Sequence, residues 1–178
     1  ENLDLGNAVM GFGYPDNAFQ INTADFGWVR FDDGGGAFSH CTALTKVTIP
    51  ESVTVLTKTF YGCSHLYDVT LPNTLTTIGS NAFRGCAIKE LTIPDNVTTI
   101  SPWAFAECPL SSVILPSSLT AIGDHAFYHC PLTSVAFPSS LLKIWSYAFD
   151  GSELTEVTVP SSVIFIDDFA FSNCYKLK

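Results

Sequence analysis

Six prolines of this sequence recur at a constant interval of 22 residues. They are Pro50, Pro72, Pro94, Pro116, Pro138 and Pro160. A fixed period of this length is typical of a solenoid, in which each repeat forms one coil and contacts mainly its two neighbours. A single coil cannot bury its own apolar face, so a chain with this period is expected to fold only as a stack of coils.

Apolar residues occupy five fixed positions around each proline: six, three and one residues before it, and three and six residues after it. The positions three and one before the proline alternate with period two, which predicts a short strand that the proline ends, because it has no N–H to donate. We therefore expect six parallel strands, centred on residues 47–49, 69–71, 91–93, 113–115, 135–137 and 157–159. The wider spacing after the proline predicts a loosely wound arc with a bend permitted by Gly79 and Gly123, and no segment has the helical period over ten or more residues.

An Ala-Phe pair, once replaced by Thr59-Phe60, recurs between the prolines and is usually followed by a cysteine. The phenylalanines are Phe38, Phe60, Phe83, Phe105, Phe127, Phe149 and Phe171, and we expect them to form one buried stack. The cysteines are Cys41, Cys63, Cys86, Cys108, Cys130 and Cys174, with Ser152 in the same position of one coil. One cysteine per coil at one position favours a column of free, buried thiols, although the spacing of adjacent coils leaves disulfides within reach.

The combined pattern, Leu-x-x-Val-x-Ile-Pro-x-x-Val-x-x-Ile-(Gly)-x-x-Ala-Phe-x-x-Cys, resembles the BspA-like class of leucine-rich repeats over residues 37–178. The resemblance implies a curved leucine-rich repeat solenoid with a parallel inner sheet, a fold grouped by convention with the α/β horseshoes but here β-rich with little helix. It also implies secreted or cell-surface proteins of bacteria and protists that serve in adhesion and in binding other proteins. The family has no catalytic residues that could be carried over to this chain.

Residues 1–36 depart from the repeat and are rich in Gly, Asp, Asn and Phe. We expect them to form an N-terminal cap or a degenerate repeat, since the exposed end of a stack needs covering, with a separate functional module as the alternative. Residues 37–178 are expected to form about six coils, and the last repeat is incomplete, as in an array truncated at its C-terminus.

Two columns of outward-facing strand residues are the first candidate for a partner-binding surface on the inner face of the predicted sheet. One column contains Lys46, Asp68, Glu90, Ser112, Ser134 and Glu156; the other contains Thr48, Thr70, Thr92, Ile114, Ala136 and Thr158. These side chains are small, mostly polar and partly acidic, which suits the approach of a protein segment better than that of a sugar. The alternative is an ordinary solvated sheet face.

A second candidate surface is an aromatic ladder just before the Ala-Phe pairs of four successive coils. It consists of Trp103, His125, Tyr147 and Phe169. Exposed Trp and Tyr are favoured anchors at protein interfaces, but rings in this position can equally cover the adjoining coil.

Other chemistry finds little support in the residues. The net charge of −9 disfavours nucleic acid and anionic lipid, and no apolar run reaches the roughly 20 residues of a membrane span. His125 and His129 would converge on a metal only on a helix, and Asp32-Asp33 lacks the ligand spacing of a calcium loop. We therefore expect no metal, no cofactor and no catalytic residues. Asn96 begins a possible glycosylation sequon.

These observations predict a non-enzymatic protein-binding or adhesion module of a secreted or cell-surface protein. The alternative is a structural subunit that packs through its repeat faces or ends into a larger complex or filament, with self-association through the ends of the stack. An enzyme is disfavoured because no acid, base, nucleophile or metal set converges.

Overall fold

The computed structural model describes residues 36–178 and, further upstream, the backbone of residues 2–4, 22–23 and 27–28. The described part of the chain contains thirteen short strands and no helix, and therefore no apolar helix long enough to cross a membrane. The strands are β1 (Asn2–Asp4), β2 (Asn22–Thr23), β3 (Gly27–Trp28), β4 (Lys46–Thr48), β5 (Val55–Leu56), β6 (Asp68–Thr70), β7 (Thr77–Ile78), β8 (Glu90–Thr92), β9 (Thr99–Ile100), β10 (Ser112–Ile114), β11 (Ala121–Ile122), β12 (Lys143–Ile144) and β13 (Phe165–Ile166). The predicted solenoid of parallel coils is confirmed.

The strands before the prolines form the first sheet, in two separate pieces. One piece has the order β1-β4-β6 and the other joins β8 to β10, all parallel and in register, so that Val47 lies beside Val69. Four of the six predicted strands form, and each begins one residue before its predicted range. The equivalent segments 134–136 and 156–158 are not strands, so the prediction of six was wrong.

The interruption between β6 and β8 has a cause in the sequence. The Phe-to-Pro spacing is 12 residues from Phe60 to Pro72 but 11 from Phe83 to Pro94. This one-residue change falls between the two strands and shifts the backbone of one coil relative to the next, so that their ladder is lost. Val69, on the side of the break with the longer spacing, is half-buried, whereas Val47 is fully buried.

The segment after each proline forms a second sheet, where the sequence predicted only an arc. This sheet is continuous and parallel through six coils, in the order β13-β12-β11-β9-β7-β5. Each proline is followed six residues later by a buried Leu or Ile, except that Ile166 in the last coil is exposed. Because this spacing never changes, the strands of the second sheet stay in register with their neighbours through all six coils.

The phenylalanine column is the centre of the core. Consecutive rings stack nearly parallel, with centroids 5.3–5.5 Å apart from Phe38 to Phe171. The rings from Phe38 to Phe149 are buried, as predicted, but Phe171 in the last coil is only half-buried. Each coil is also bonded to the next through the backbone, since the amide of Phe105 donates to the carbonyl oxygen of Ala126 at 2.9 Å.

Two columns of residues have a left-handed backbone, with φ between 50° and 73°. The column two residues before Phe contains Lys58, Asn81, Trp103, His125, Tyr147 and Phe169; the column two residues after Phe contains His40, Gly62, Gly85, Glu107, His129, Gly151 and Asn173. These residues form the bend around the Ala-Phe pair, so the assignment of the bend to Gly79 and Gly123 was wrong. Gly79 is required instead by crowding, because a Cβ there would lie 2.5 Å from the carbonyl oxygen of Leu56.

We predict that replacing Phe105 by alanine lowers the free energy of unfolding by about 3–5 kcal/mol, because a cavity replaces a fully buried ring in the middle of the stack. Urea denaturation of both proteins measures the change. The exposed Thr98→Ala variant is the control and should change the stability by less than about 0.5 kcal/mol. A loss below about 1 kcal/mol for Phe105→Ala would contradict a core role for the ring.

At His129, whose φ is 54°, we predict that a glycine variant is more stable than an alanine variant, the reverse of the usual order. An L side chain is strained in this conformation and glycine is not, so His129→Gly should be more stable than His129→Ala by about 1 kcal/mol. At the neighbouring Ala126, whose φ is not positive, Ala126→Gly should be destabilising as usual. Thermal denaturation of the three variants measures their relative stability. A His129→Ala variant as stable as His129→Gly, or more stable, would contradict the prediction.

Candidate binding surfaces

The first four members of each predicted inner-face column lie on strands of the first sheet, in register between β4 and β6 and between β8 and β10. Lys46 and Asp68 form an ion pair of 2.7 Å, and the hydrogen bond to Asp68 raises the pKa of the Lys46 ammonium group. Glu90 and Glu156 are exposed and have no ion pair within residues 36–178. The first column therefore presents uncompensated negative charge toward the solvent.

The second inner-face column is exposed along its whole length. On the opposite side of the same strands, Val47, Leu91 and Val113 are buried. Its members are mostly threonines, but Ile114 is an exposed apolar side chain, with 61% of its surface accessible. Tyr67 lies beside this face, directly before Asp68, and is 60% exposed. The sequence reasoning missed Tyr67 because its column (Thr45, Tyr67, Lys89, Ser111, Thr133 and Thr155) has no shared residue type.

Only part of each inner-face column stands on strands. Lys46, Asp68, Glu90 and Ser112, with Thr48, Thr70, Thr92 and Ile114, belong to β4, β6, β8 and β10. Ser134, Ala136, Glu156 and Thr158 occupy the same repeat positions and are exposed, but they are outside the sheet. The ordered part of this surface therefore extends over four coils.

The aromatic ladder is a continuous stack of rings. The centroid of Trp103 is 4.0 Å from that of His125, His125 is 4.8 Å from Tyr147, and Tyr147 is 5.1 Å from Phe169. The guanidinium of Arg84 covers the other side of Trp103 at 4.5 Å and also forms a 2.9 Å ion pair with Glu107. The ring faces therefore contact one another, and only their edges remain for a partner.

The polar side chains near the ladder are engaged within the coils. His125 Nδ1 lies 2.7 Å from a carboxylate oxygen of Asp124, while His129 stacks on Tyr128 with centroids 4.0 Å apart. No group of three potential metal ligands occurs in the part of the chain that the structure describes. Asp32 and Asp33 lie outside the described residues.

Two further sites were singled out on the surface. The amide nitrogen of Asn96, which a glycan would require, donates to the backbone carbonyl of Asn73 at 2.6 Å. An open depression of about 620 Å³ is lined by His129, Glu153, Tyr175 and Lys176 among others. It contains an ion pair between Lys176 and Glu153 but no arrangement of a nucleophile with a base.

The thiol column is part of the core, as expected. All six cysteines are free. Five of the thiols, from Cys63 onward, donate to the backbone carbonyl of the phenylalanine in the preceding coil, for example Cys63 to Phe38 at 2.9 Å and Cys108 to Phe83 at 3.0 Å. Burial raises the pKa of Cys63 and of Cys108 to about 12. Buried, protonated thiols of this kind are poor nucleophiles.

We predict that Cys86, Cys108 and Cys130 resist alkylation in the native protein and react only after denaturation, because the thiolate is the reactive species. The mass of the unreduced protein should show no loss of hydrogen pairs. Cys108→Ser should fold with a modest loss of stability, since Ser152 is buried in the same position. Labelling of the central three cysteines as rapid as that of the half-buried Cys174 would contradict the packing role.

Stability should also fall in alkaline solution. Because burial raises the thiol pKa above its ordinary value of 9.0, the unfolded chain loses these protons first as the pH rises. The stabilisation is complete below pH 9 and is lost toward pH 12. Cys108→Ser should weaken this dependence, which denaturation at several pH values can measure.

Comparison with known proteins agrees with the geometry. The BspA type leucine rich repeat region matches residues 33–111 and 98–178 in six copies. No curated protein matches the chain. The crystal structure of the T. pallidum leucine rich repeat protein TpLRR is similar, with 30% sequence identity and a TM-score of 0.76, over 83% of this chain and 74% of that one.

Two more distant structures share the fold alone. A leucine-rich repeat protein from Bacteroides ovatus ATCC 8483 has 22% identity and a TM-score of 0.52, over 99% of this chain and 62% of its own. The pneumococcal vaccine antigen PcpA has 20% identity and a TM-score of 0.51, over 76% and 50%. With six matched repeats and stacked parallel coils, the chain belongs to the BspA type leucine-rich repeat family.

Proposed function

We propose that this chain is a non-enzymatic protein-binding module of a secreted or cell-surface protein, and that its partner meets the exposed face of the first sheet. Leucine-rich repeat proteins typically take part in protein interactions or stand at surfaces. The observation that supports this face most is the repetition of small, mostly polar and acidic side chains on its exposed columns above a buried core, in register within the pair β4-β6 and within the pair β8-β10.

The chemistry of the face favours a basic or neutral protein segment as the partner. Glu90 and Glu156 have no ion pair among residues 36–178, and the whole chain has a net charge of −9, which attracts cationic groups and repels phosphate. Ile114 and Tyr67 add apolar contact area to a surface of hydroxyl groups. Adhesion to another cell or to a matrix would be one use of such binding.

The described residues give no support to an enzymatic role. Proteins of this family and fold are generally not enzymes. Within residues 36–178, four of the six thiols are buried and have a raised pKa, His125 is stacked between two rings, and no metal-ligand cluster exists. The module is therefore proposed to act through binding alone.

The aromatic ladder is assigned to packing between coils, because its rings cover one another and the cationic side chain of Arg84 covers the Trp103 ring at its first end. The arrangement leaves Phe169 as the most exposed ring of the ladder. A partner would therefore find few ring faces to stack on.

We predict that the double variant Thr92→Lys with Ser112→Lys loses at least about tenfold in affinity for a partner captured from the native source, since long cations then disrupt a smooth, acidic face. The control, Thr54→Lys with Thr98→Lys, adds the same charge to exposed positions next to the second sheet and should bind like the wild type. The captured protein is purified and its affinity for the three proteins is measured. Binding that survives the first variant, or is lost in the control, would place the site elsewhere.

A second function, as a subunit that assembles with other copies, is favoured by one specific observation. Several large apolar side chains are exposed on and beside the second sheet, in coils five and six. This surface is a repeat face rather than an end of the stack.

A further inference from the structure

The residue type changes abruptly along one exposed column beside the second sheet. In the first four coils the column contains the threonines Thr54, Thr76, Thr98 and Thr120, and in the next two it contains Leu142 and Ile164. Leu142 is 39% exposed and Ile164 is 75% exposed. A position that tolerates threonine four times has no need of a larger apolar side chain for folding.

The neighbouring positions change in the same two coils. Trp145 occupies the position of Gly79, Ser101 and Gly123, and it is 38% exposed. Its ring makes an edge contact with Phe165 of the next coil, with the centroids 5.3 Å apart. The backbone amide of Ile164 donates to the carbonyl of Leu142 at 2.9 Å, so these side chains lie on adjacent coils. We call Leu142, Trp145, Ile164 and Phe165 the apolar patch.

The exposure of Leu142, Trp145 and Ile164 does not depend on the end of the stack. Leu142 and Trp145 belong to a coil that is covered on both sides, since β12 pairs with both β11 and β13. Thr76 and Thr98, the counterparts of Ile164 in coils with two neighbours, are also exposed. The side chain at this position is therefore accessible in every coil, half-buried at Thr120 and exposed in the other five.

Charged residues of both signs flank the apolar patch in the sequence. Lys143 lies between Leu142 and Trp145, with its ammonium group 5.9 Å from the indole centroid, in a column otherwise occupied by Val55, Thr77, Thr99, Ala121 and Phe165. Asp168 follows Phe165 by three residues and is exposed. Neither Lys143 nor Asp168 has an ion pair within the described range 36–178. Both charged residues are exposed, and they flank the patch along the chain.

We propose that the apolar patch is a self-association surface whose partner is the same patch of a second copy of this chain. A two-fold axis through the patch would bury the four apolar side chains against their equivalents and bring Lys143 of each copy toward Asp168 of the other. A partner with charge of only one sign would leave either Lys143 or Asp168 unmatched. The inference deepens the second of the functions proposed above and is independent of partner binding on the first sheet.

The size of the patch sets the strength of the association. Four partly exposed side chains form the centre of an interface at the small end of the range for specific protein contacts. Two copies that each carry a net charge of −9 also repel one another at long range. The expected product is a reversible dimer with a dissociation constant of about 1 μM to 1 mM.

Sedimentation equilibrium of the purified chain, over concentrations that span this range, tests the proposal. The wild type should show a monomer–dimer equilibrium. The double variant Leu142→Thr with Ile164→Thr restores the threonine of the first four coils and should weaken dimerisation at least tenfold, with an unchanged folded circular dichroism spectrum. Lys143→Asp should also weaken it, and combining Lys143→Asp with Asp168→Lys should restore part of the loss.

The matched control is Ile114→Thr, which makes the same chemical change at an exposed position of the first sheet, where Thr48, Thr70 and Thr92 provide the precedent. It should leave the dimer unchanged. A wild type that is monomeric throughout, or a dimer that both threonine variants affect equally, overturns the proposal. If the wild type is monomeric and the patch variant no longer binds a different captured protein, the patch would instead be the binding site of that protein. None of these outcomes bears on the first-sheet site.

Discussion

The structure depends on hydrogen bonding between equivalent positions of successive coils around the phenylalanine column. Each phenylalanine ring stacks on the next at about the spacing of neighbouring strands. From Phe60 to Phe149 the amide donates to an alanine carbonyl in the following coil. Where the following coil has a cysteine at the repeat position, the phenylalanine carbonyl accepts its thiol, as Phe105 does from Cys130. A polar backbone buried in an apolar core needs such partners, so the three elements Ala, Phe and Cys form one unit of the repeat.

This unit also explains where the repeat tolerates variation. The spacing from proline to the next buried aliphatic residue never changes, and the second sheet runs without a break. The spacing from phenylalanine to proline changes once, and the first sheet breaks at that point. A difference of one residue in a strand-forming segment is enough to lose the ladder, while the stack itself continues through the phenylalanine column.

The sequence predicts the parts of the fold that follow from burial. The coils, the buried phenylalanines and the buried thiols are each marked by one residue type at one position. The second sheet was missed because a two-residue strand such as Thr77–Ile78 has too few residues to show period two. The left-handed columns were missed because Trp103, Glu107 and Tyr147 are residue types that give no sign of positive φ, and the coil around them imposes it. The equivalent glycines, Gly85 and Gly151, were the available signal.

The candidate surfaces were less predictable than the fold, because exposed positions are not constrained by packing. The inner-face columns follow from strand alternation, but Tyr67 does not follow from any pattern, and the apolar patch appears only when each coil is compared with the others at the same exposed positions. In a repeat protein, the residues at the same position of the other coils show which residue type the fold requires there. A residue that departs from its column without a packing reason, such as Leu142 or Ile164, identifies a surface that the fold alone does not require.

The most direct test of the central claim is native-state hydrogen exchange at the phenylalanine amides. The amides of Phe83, Phe105 and Phe127 donate to alanine carbonyls of the next coil at 2.8–2.9 Å beneath fully buried rings. They should be among the slowest to exchange in the protein, with protection decreasing from the central coils toward the last one. If the amide of Phe105 exchanged as fast as those of exposed residues outside the sheets, such as Ser134, bonding between coils at the phenylalanine column would not be what holds the stack together.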